Sequence, residues 1–400
     1  MNIKSLLLGS AAALVAVSGA RAADAIIAAE PEPVEYVRVC DAFGTGYFYI
    51  PGTETCLRIH GYVRFDVFGG ELFENTAANG DGTYNINSRL SLRTSTASET
   101  ELGTLRTYTE TRFNWGDTQN YISTAGSGGT LAGGYDNGTS VSLNFAWIQL
   151  GGLRVGKDES FFSTWTGYAG AIINDTPLGG YGPFDTNLIS YTYTGGAFRA
   201  GIALEQGNDN NGAAGTAYAW NGVTGPLLPR GNGWGIDSYM PHVVVGLGAT
   251  FGMVDLSAVA AWDSRDGING IGIDGSEVGG WAGKIRADVT FNDALSAFLM
   301  LMYGENSSGY TTWANGASTD DTFGVSAGGS YAFSDKGTFN LEVDWTEDNG
   351  LATGDEWAVT ANVAYELVPG LTITPEIQYI DSAEAPDGAF GGGVRVQRSF

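Results

Sequence analysis

After its first twenty residues the 400-residue sequence has no long apolar run. It has two cysteines, two histidines, and 19 lysines and arginines against 44 acidic residues. Each shortage excludes something. Without about 20 consecutive apolar residues there is no candidate transmembrane helix. A formal charge of −25 leaves no basic surface for nucleic acid. Cys40, Cys56, His60 and His242 show no metal-ligand spacing. Two histidines, and no G-x-S-x-G between a strand and a helix pattern, also argue against a hydrolase. The abundant features are 61 glycines, 12% aromatic residues and only 16% charged residues. Disordered chains are not this aromatic, so the composition points to an all-β protein.

The N-terminus reads as an export signal. Lys4 precedes the apolar stretch Leu6 to Val17, and Ala20-Arg21-Ala22 forms an A-x-A cleavage site. Residues 1–22 are therefore expected to be a signal peptide. Removing them leaves 17 basic residues against the same 44 acidic ones, a net charge of −27. An exported chain passes an oxidising compartment, so a Cys40–Cys56 disulfide is expected. Closing that loop is worth roughly 3 kcal/mol in the chain-entropy model.

From Leu57 the pattern has a period of two. Ile59, Gly61, Val63, Phe65 and Val67 are apolar or small, and Arg58, His60, Tyr62, Arg64 and Asp66 between them are polar. Similar strands are predicted at 85–95, 104–114, 141–150, 153–158, 187–194, 197–205, 241–251, 253–262, 281–291, 295–304, 322–333, 338–346, 356–366, 371–380 and 390–400, sixteen with the first. Connections alternate between tight turns, such as Gly151-Gly152 and Pro369-Gly370, and long loops of Gly, Asn, Asp, Ser and Thr. An even strand number with short turns at one end and long loops at the other is the layout of a bacterial outer-membrane barrel. On the outward positions Trp115, Trp262, Trp281, Trp345 and Trp357 adjoin long loops. Phe251, Phe291, Phe333, Phe339, Tyr365 and Phe400 adjoin short turns or the chain end. These are two girdles for two membrane interfaces. The expected fold is a 16-stranded antiparallel transmembrane β-barrel over 57–400, wide enough for an aqueous lumen. Residues 23–56 read as a periplasmic segment, either an ordered lead-in against the barrel's lower mouth or a linker.

Several blocks carry a family resemblance: the start MNIKSLLLGSAAALVAVSGARAADAI, VEYVRVCDAFGTGYFYIPGTETCLRIHGYVRFDV, TANVAYELVPGLTITPE and the end VRVQRSF. Over essentially its whole length the chain resembles the alphaproteobacterial porins of the Brucella and rhizobial type. The resemblance implies a homotrimer in the outer membrane, passive diffusion of small hydrophilic solutes and ions, an inward-folded third long loop, and closure through the terminal Phe400. Arg398 departs from the pattern, since other barrels often carry an apolar residue at that place.

The third long loop, about 159–186, contains FFSTWTGYAGAIINDTPLGGYGPFD. In a porin constriction, acidic loop groups face a basic wall and set up a transverse field. The expected acidic set is Asp175 and Asp185 with Asp158 and Glu159. The expected wall is Arg58, Arg64, Arg89, Arg93, Arg106 and Arg112, with Arg154 and Lys157. The plainer reading is that these cations are solvated or paired with Glu110 and Asp66. The acidic balance and the loop carboxylates predict weak cation preference. No cofactor is expected, beyond divalent cations loosely held by acidic outer loops and bridging to lipopolysaccharide. The alternatives are a substrate-specific channel of the same fold, an outer-membrane enzyme, and a soluble lectin or adhesin. N-terminal sequencing of protein extracted from outer membranes should start at Ala23, and a chain retaining Met1 to Ala22 would refute the cleavage site.

Overall fold

A computed structural model describes residues 38–76, 82–117, 137–207, 235–236, 238–265, 279–313, 321–348, 354–382 and 385–400. The expected signal peptide lies outside these residues. Sixteen long strands form one antiparallel sheet. The first eight are β1 (Cys56–Gly70), β2 (Asn85–Thr100), β3 (Gly103–Asp117), β4 (Asn137–Leu150), β5 (Leu153–Glu159), β6 (Asp185–Gly195), β7 (Phe198–Glu205) and β8 (His242–Phe251). The second eight are β9 (Val254–Asp263), β10 (Gly280–Asn292), β11 (Leu295–Glu305), β12 (Asp321–Ser334), β13 (Gly337–Thr346), β14 (Glu356–Val368), β15 (Leu371–Ser382) and β16 (Ala385–Ser399). Each pairs with its successor, and β16 pairs with β1 from Gly391↔Gly70 to Ser399↔Tyr62, which closes the sheet into a barrel. All sixteen expected strands are present. β2 runs five residues past its expected end because its polarity alternation lapses into threonines. Thr94 and Thr96 each share a 2.6 Å hydroxyl bond with Thr109 and Thr107 of β3, so their polar groups are satisfied within the wall.

The two faces invert a soluble protein. Leu247, Ile285 and Ile377 are 67%, 59% and 59% exposed, whereas Lys284, Glu342 and Gln378 are buried. Apolar side chains outside and polar ones inside suit a sheet set in hydrocarbon. The outer aromatics form rows. Trp262 is in register with Trp281, and Trp345 with Trp357. The upper row continues through Trp281–Tyr303, Trp357–Tyr379 and Tyr379–Phe390, with ring centroids 5.7, 5.0 and 4.6 Å apart. Phe251, Phe291, Phe333 and Phe400 are exposed toward the short-turn end. Arg398 shares the outer face with Val63 but turns its guanidinium to the carbonyls of Pro369 and Ser399, so the charge leaves the apolar band.

Ahead of β1, the Cys40–Cys56 disulfide closes a small loop. Inside it a 3₁₀ turn, Asp41–Phe43, leads to Phe48–Tyr49, which pairs with the start of β1. At the same end of the seam, the Gly61 amide donates to the Phe400 carbonyl and the Phe400 amide to that of Gly61, both at 3.0 Å. Deleting Phe400 removes both bonds, at about 1 kcal/mol each. The refolded barrel should unfold at a lower urea concentration than the full chain, and an unchanged midpoint would count against this seam.

Candidate functional site

The third long loop leaves the wall after Glu159 and returns at Asp185. It opens with a one-turn helix, α1 (Phe161–Trp165). Ser160 caps the helix, its hydroxyl accepting the Phe162 amide at 3.2 Å. The buried Glu205 of β7 accepts the Phe161 amide at 2.6 Å and the hydroxyls of Ser160 and Tyr310 at 2.9 Å each. Two glycines on neighbouring strands make room for the helix. A Cβ on Gly201 would come within 2.4 Å of the Phe161 ring, and one on Gly246 within 2.5 Å of the Trp165 indole. Trp165 locks the contact by donating Nε1–H to the Leu247 carbonyl at 3.0 Å.

Beyond the helix the loop is bonded to polar side chains of β10, β14 and β15. Arg286 donates to the Tyr168 and Ala169 carbonyls. Lys284 donates to the Tyr181 carbonyl at 2.5 Å and lies 4.5 Å from the Phe162 ring centroid. Asn362 donates to the Ala171 carbonyl at 3.0 Å. Glu376 accepts the amides of Ile173 and Asn174, and Asn174 donates to Gln378. These anchors alternate with the exposed apolar positions of their strands. The loop therefore lies on the polar face, inside the closed sheet, against the arc from β7 to β15. Lys284 has no carboxylate partner among the described residues; the two ring faces and the carbonyl stand in for its lost water.

The opposite arc, β16 and β1 to β3, carries arginines at half-buried inward positions. Arg64 lies directly across from Arg89 in the strand register. Arg93 and Arg112 both reach Glu110, at 2.9 and 2.5 Å, and Arg395 reaches Asp66 at 2.8 Å. Tyr62 lies among them, with the Arg64 and Arg93 guanidinium carbons 4.5 and 5.2 Å from its ring centroid. Arg58 and Arg106 stand apart, toward the short-turn end: Arg58 runs past Gly46, and Arg106 is exposed opposite Ala97. Arg154 lies 4.2 Å over the Trp147 ring and bonds Gln149 and Asp158.

The loop carboxylates are placed differently from the expected facing set. Asp175 does not meet the early arginines. It accepts the Tyr181 hydroxyl at 2.8 Å and borders a small space with Met302, Ser326 and Asp344 of the far wall. Burial raises its pKa, and the Tyr181 bond offsets this only in part. Asp185 pairs with Lys157 at 2.5 Å across the base of the loop. Strand alternation puts Lys157 on the opposite side from Arg154 and Asp158, and those two pair with each other. Glu159 remains on the lumen side of the loop. It accepts the hydroxyl of the half-exposed Tyr168 and is close enough to Arg112 for their charges to interact.

Sequence reasoning missed Arg395, Gln397 and Tyr62. The two β16 residues become neighbours of β1 only through closure, and a lone lumen tyrosine has no motif. It also missed the inward cluster of Tyr108, Phe145 and Trp147. Near the rim, buried His242 meets Asp263 and Ser264, the residue types of a hydrolytic triad. The Ser264 amide donates to Nδ1 at 3.0 Å, and the Asp263 and Ser264 side chains lie 3.3 Å from that same nitrogen. One unprotonated nitrogen cannot bridge acid and nucleophile, so the group lacks triad geometry.

A model of the porin subfamily matches residues 24–392. Porin Omp2b of Brucella suis biovar 1 (strain 1330) is 49% identical over 413 aligned positions, covering 100% of both chains. Among solved structures, the outer membrane channel DcaP of Acinetobacter baumannii superposes with a TM-score of 0.61 at 15% identity, over 88% of this chain and 99% of that one. The trimer form of OmpT, an outer membrane protein of Vibrio cholerae, gives 0.52 at 13% identity, over 87% and 100%. At such identities the two structures show a shared fold. Together with the closed barrel, its apolar exterior and its polar lumen, the family match and the Brucella relative lead to one conclusion: the chain belongs to the porin family and is a passive diffusion channel of the Gram-negative outer membrane.

Proposed function

We propose that small hydrophilic solutes and ions pass between the third loop and the arginine arc, and that this gap sets which of them cross. The observation that carries the reading is the loop's one-sided attachment. Its bonds run to the polar faces of β7 to β15, and among the described residues none is made to the inward arginines of β1 to β3. Solutes then meet Glu159 and Tyr168 on one side and Arg64, Arg89, Arg93, Arg112 and Arg395 on the other. Charges that close to the path act within a screening length of about 8–10 Å. Asp158 and Asp185 are each ion-paired and add little to the field, and Asp175 is turned toward the far wall, where it accepts the Tyr181 hydroxyl. Arg58, Arg106 and Arg154 line the approach from the short-turn end.

In this reading the chain has no enzymatic activity and needs no cofactor, and its working form is a homotrimer in the outer membrane. The OmpT trimer supports the assembly by likeness of fold. The divalent-cation bridges to lipopolysaccharide belong to long loops that lie largely outside the described residues.

Two measurements test the proposal. Gly246→Val drives a side chain into the Trp165 indole, at a cost of about 1–3 kcal/mol if the loop stays in place. The loop should yield, and single-channel conductance in a planar bilayer should become larger and noisier. Conductance and noise equal to wild type would overturn the loop's role as the constriction. Purified oligomers should insert with current steps grouped in threes, and isolated single steps would count against the trimer.

A further inference from the structure

We propose that Arg64 and Arg89 form a binding subsite for small oxyanions, the phosphate or carboxylate groups of hydrophilic solutes in transit. The inference rests on the reading that solutes pass along the arginine arc. It goes further by naming the chemical class held there and the atoms that hold it.

The register sets the problem. Arg64 of β1 and Arg89 of β2 are directly opposed, and like charges facing each other across a strand pair repel. Their protein partners are neutral. Arg64 donates Nε–H and Nη2–H to the Gln397 side-chain oxygen Oε1 at 2.8 and 2.7 Å, and its guanidinium lies over the Tyr62 ring. Arg89 donates Nε–H to the Asn114 side-chain oxygen at 2.6 Å and bonds the Tyr62 side chain. Among the described residues neither has a carboxylate within ion-pair distance. The wall's two carboxylates are committed elsewhere, Asp66 to Arg395 and Glu110 to Arg93 and Arg112. Five guanidinium groups thus share two carboxylates. Among the described residues no loop carboxylate comes within ion-pair distance of these arginines: Asp175 accepts the Tyr181 hydroxyl and Glu159 the Tyr168 hydroxyl.

Gln397 and Asn114 hold the two Nε–H edges. They orient both groups without cancelling their charge, and among the described residues Arg64 Nη1 keeps its donors. Planar guanidinium forks match the geometry of phosphate and carboxylate oxygens, and such charge-assisted bonds are stronger than neutral ones. An oxyanion between the two forks relieves their repulsion and gains those bonds. Chloride, a single spherical acceptor, gains less.

The test is a planar-bilayer titration with inorganic phosphate in potassium chloride. Phosphate should reduce the wild-type current in a saturable way. In Arg64→Gln/Arg89→Gln the half-blocking concentration should rise roughly tenfold or more, whereas Lys336→Gln, in an exposed turn, should match wild type. Absence of block in wild type, or an unshifted half-blocking concentration in the double variant, overturns the subsite and leaves the channel reading intact. A wild-type protein that fails to conduct potassium chloride overturns the channel reading itself. Should the double variant not fold, Arg89→Lys keeps the charge and removes the fork. It should weaken the block several-fold, and an unshifted block there also overturns the subsite.

Discussion

Everything in this molecule depends on the requirement that no backbone amide or carbonyl be left open to hydrocarbon. A sheet meets that requirement by closing on itself. Here closure brings β16 to β1 and ends at the reciprocal Gly61–Phe400 bonds. Sixteen strands enclose more space than the wall's side chains can fill. The interior is then either wide open or narrowed by something other than the wall. The third loop takes the second course, and its fold depends on the barrel having closed around it.

The loop divides the inner surface into two arcs with different electrostatics. On the covered arc, ionisable groups serve as anchors: Glu205 holds the start of α1, Arg286 and Lys284 hold loop carbonyls, and Glu376 holds loop amides. Burial makes each of these bonds expensive to leave unmade, which ties the loop to one wall. On the uncovered arc the arginines meet each other, two carboxylates, Tyr62 and two side-chain amides. Side chains of the same chemistry thus position the loop on one side and face the lumen on the other. The overall negative charge does not describe the gap itself, where guanidinium groups outnumber free carboxylates. The weak cation preference expected from composition treats every acid as available, and most of those nearest the gap are already paired.

Much of the fold was legible from residue order. Strand number, strand faces and the alternation of short and long connections all come from a period-two pattern, which lipid outside and water inside keep strict. The expectation departs from the structure where the pattern lapses: the outer positions of β2 turn polar from Thr94 onward, so its expected end at residue 95 falls short, and the Thr94 and Thr96 hydroxyls are satisfied by the next strand. The site was less legible. Arg64, Arg89, Arg93 and Arg112 could be named because they alternate on early strands. Arg395 could not, because it joins them only across the seam. Asp175 and Asp185 looked equivalent as loop carboxylates, yet one is claimed by a tyrosine six residues on and the other by Lys157 at the loop's base.

By itself, then, the sequence determined a closed sixteen-stranded barrel, its orientation between two aromatic girdles, and the place where a long loop interrupts the wall. These depend on local alternation and turn chemistry, which are written along the chain. Tertiary structure alone decided which arc the loop covers, which carboxylates stay available and which arginines gather. Those outcomes depend on contacts such as Glu376 with Ile173, 203 residues apart. Such contacts exist only once the sheet has closed and its interior has become a single space.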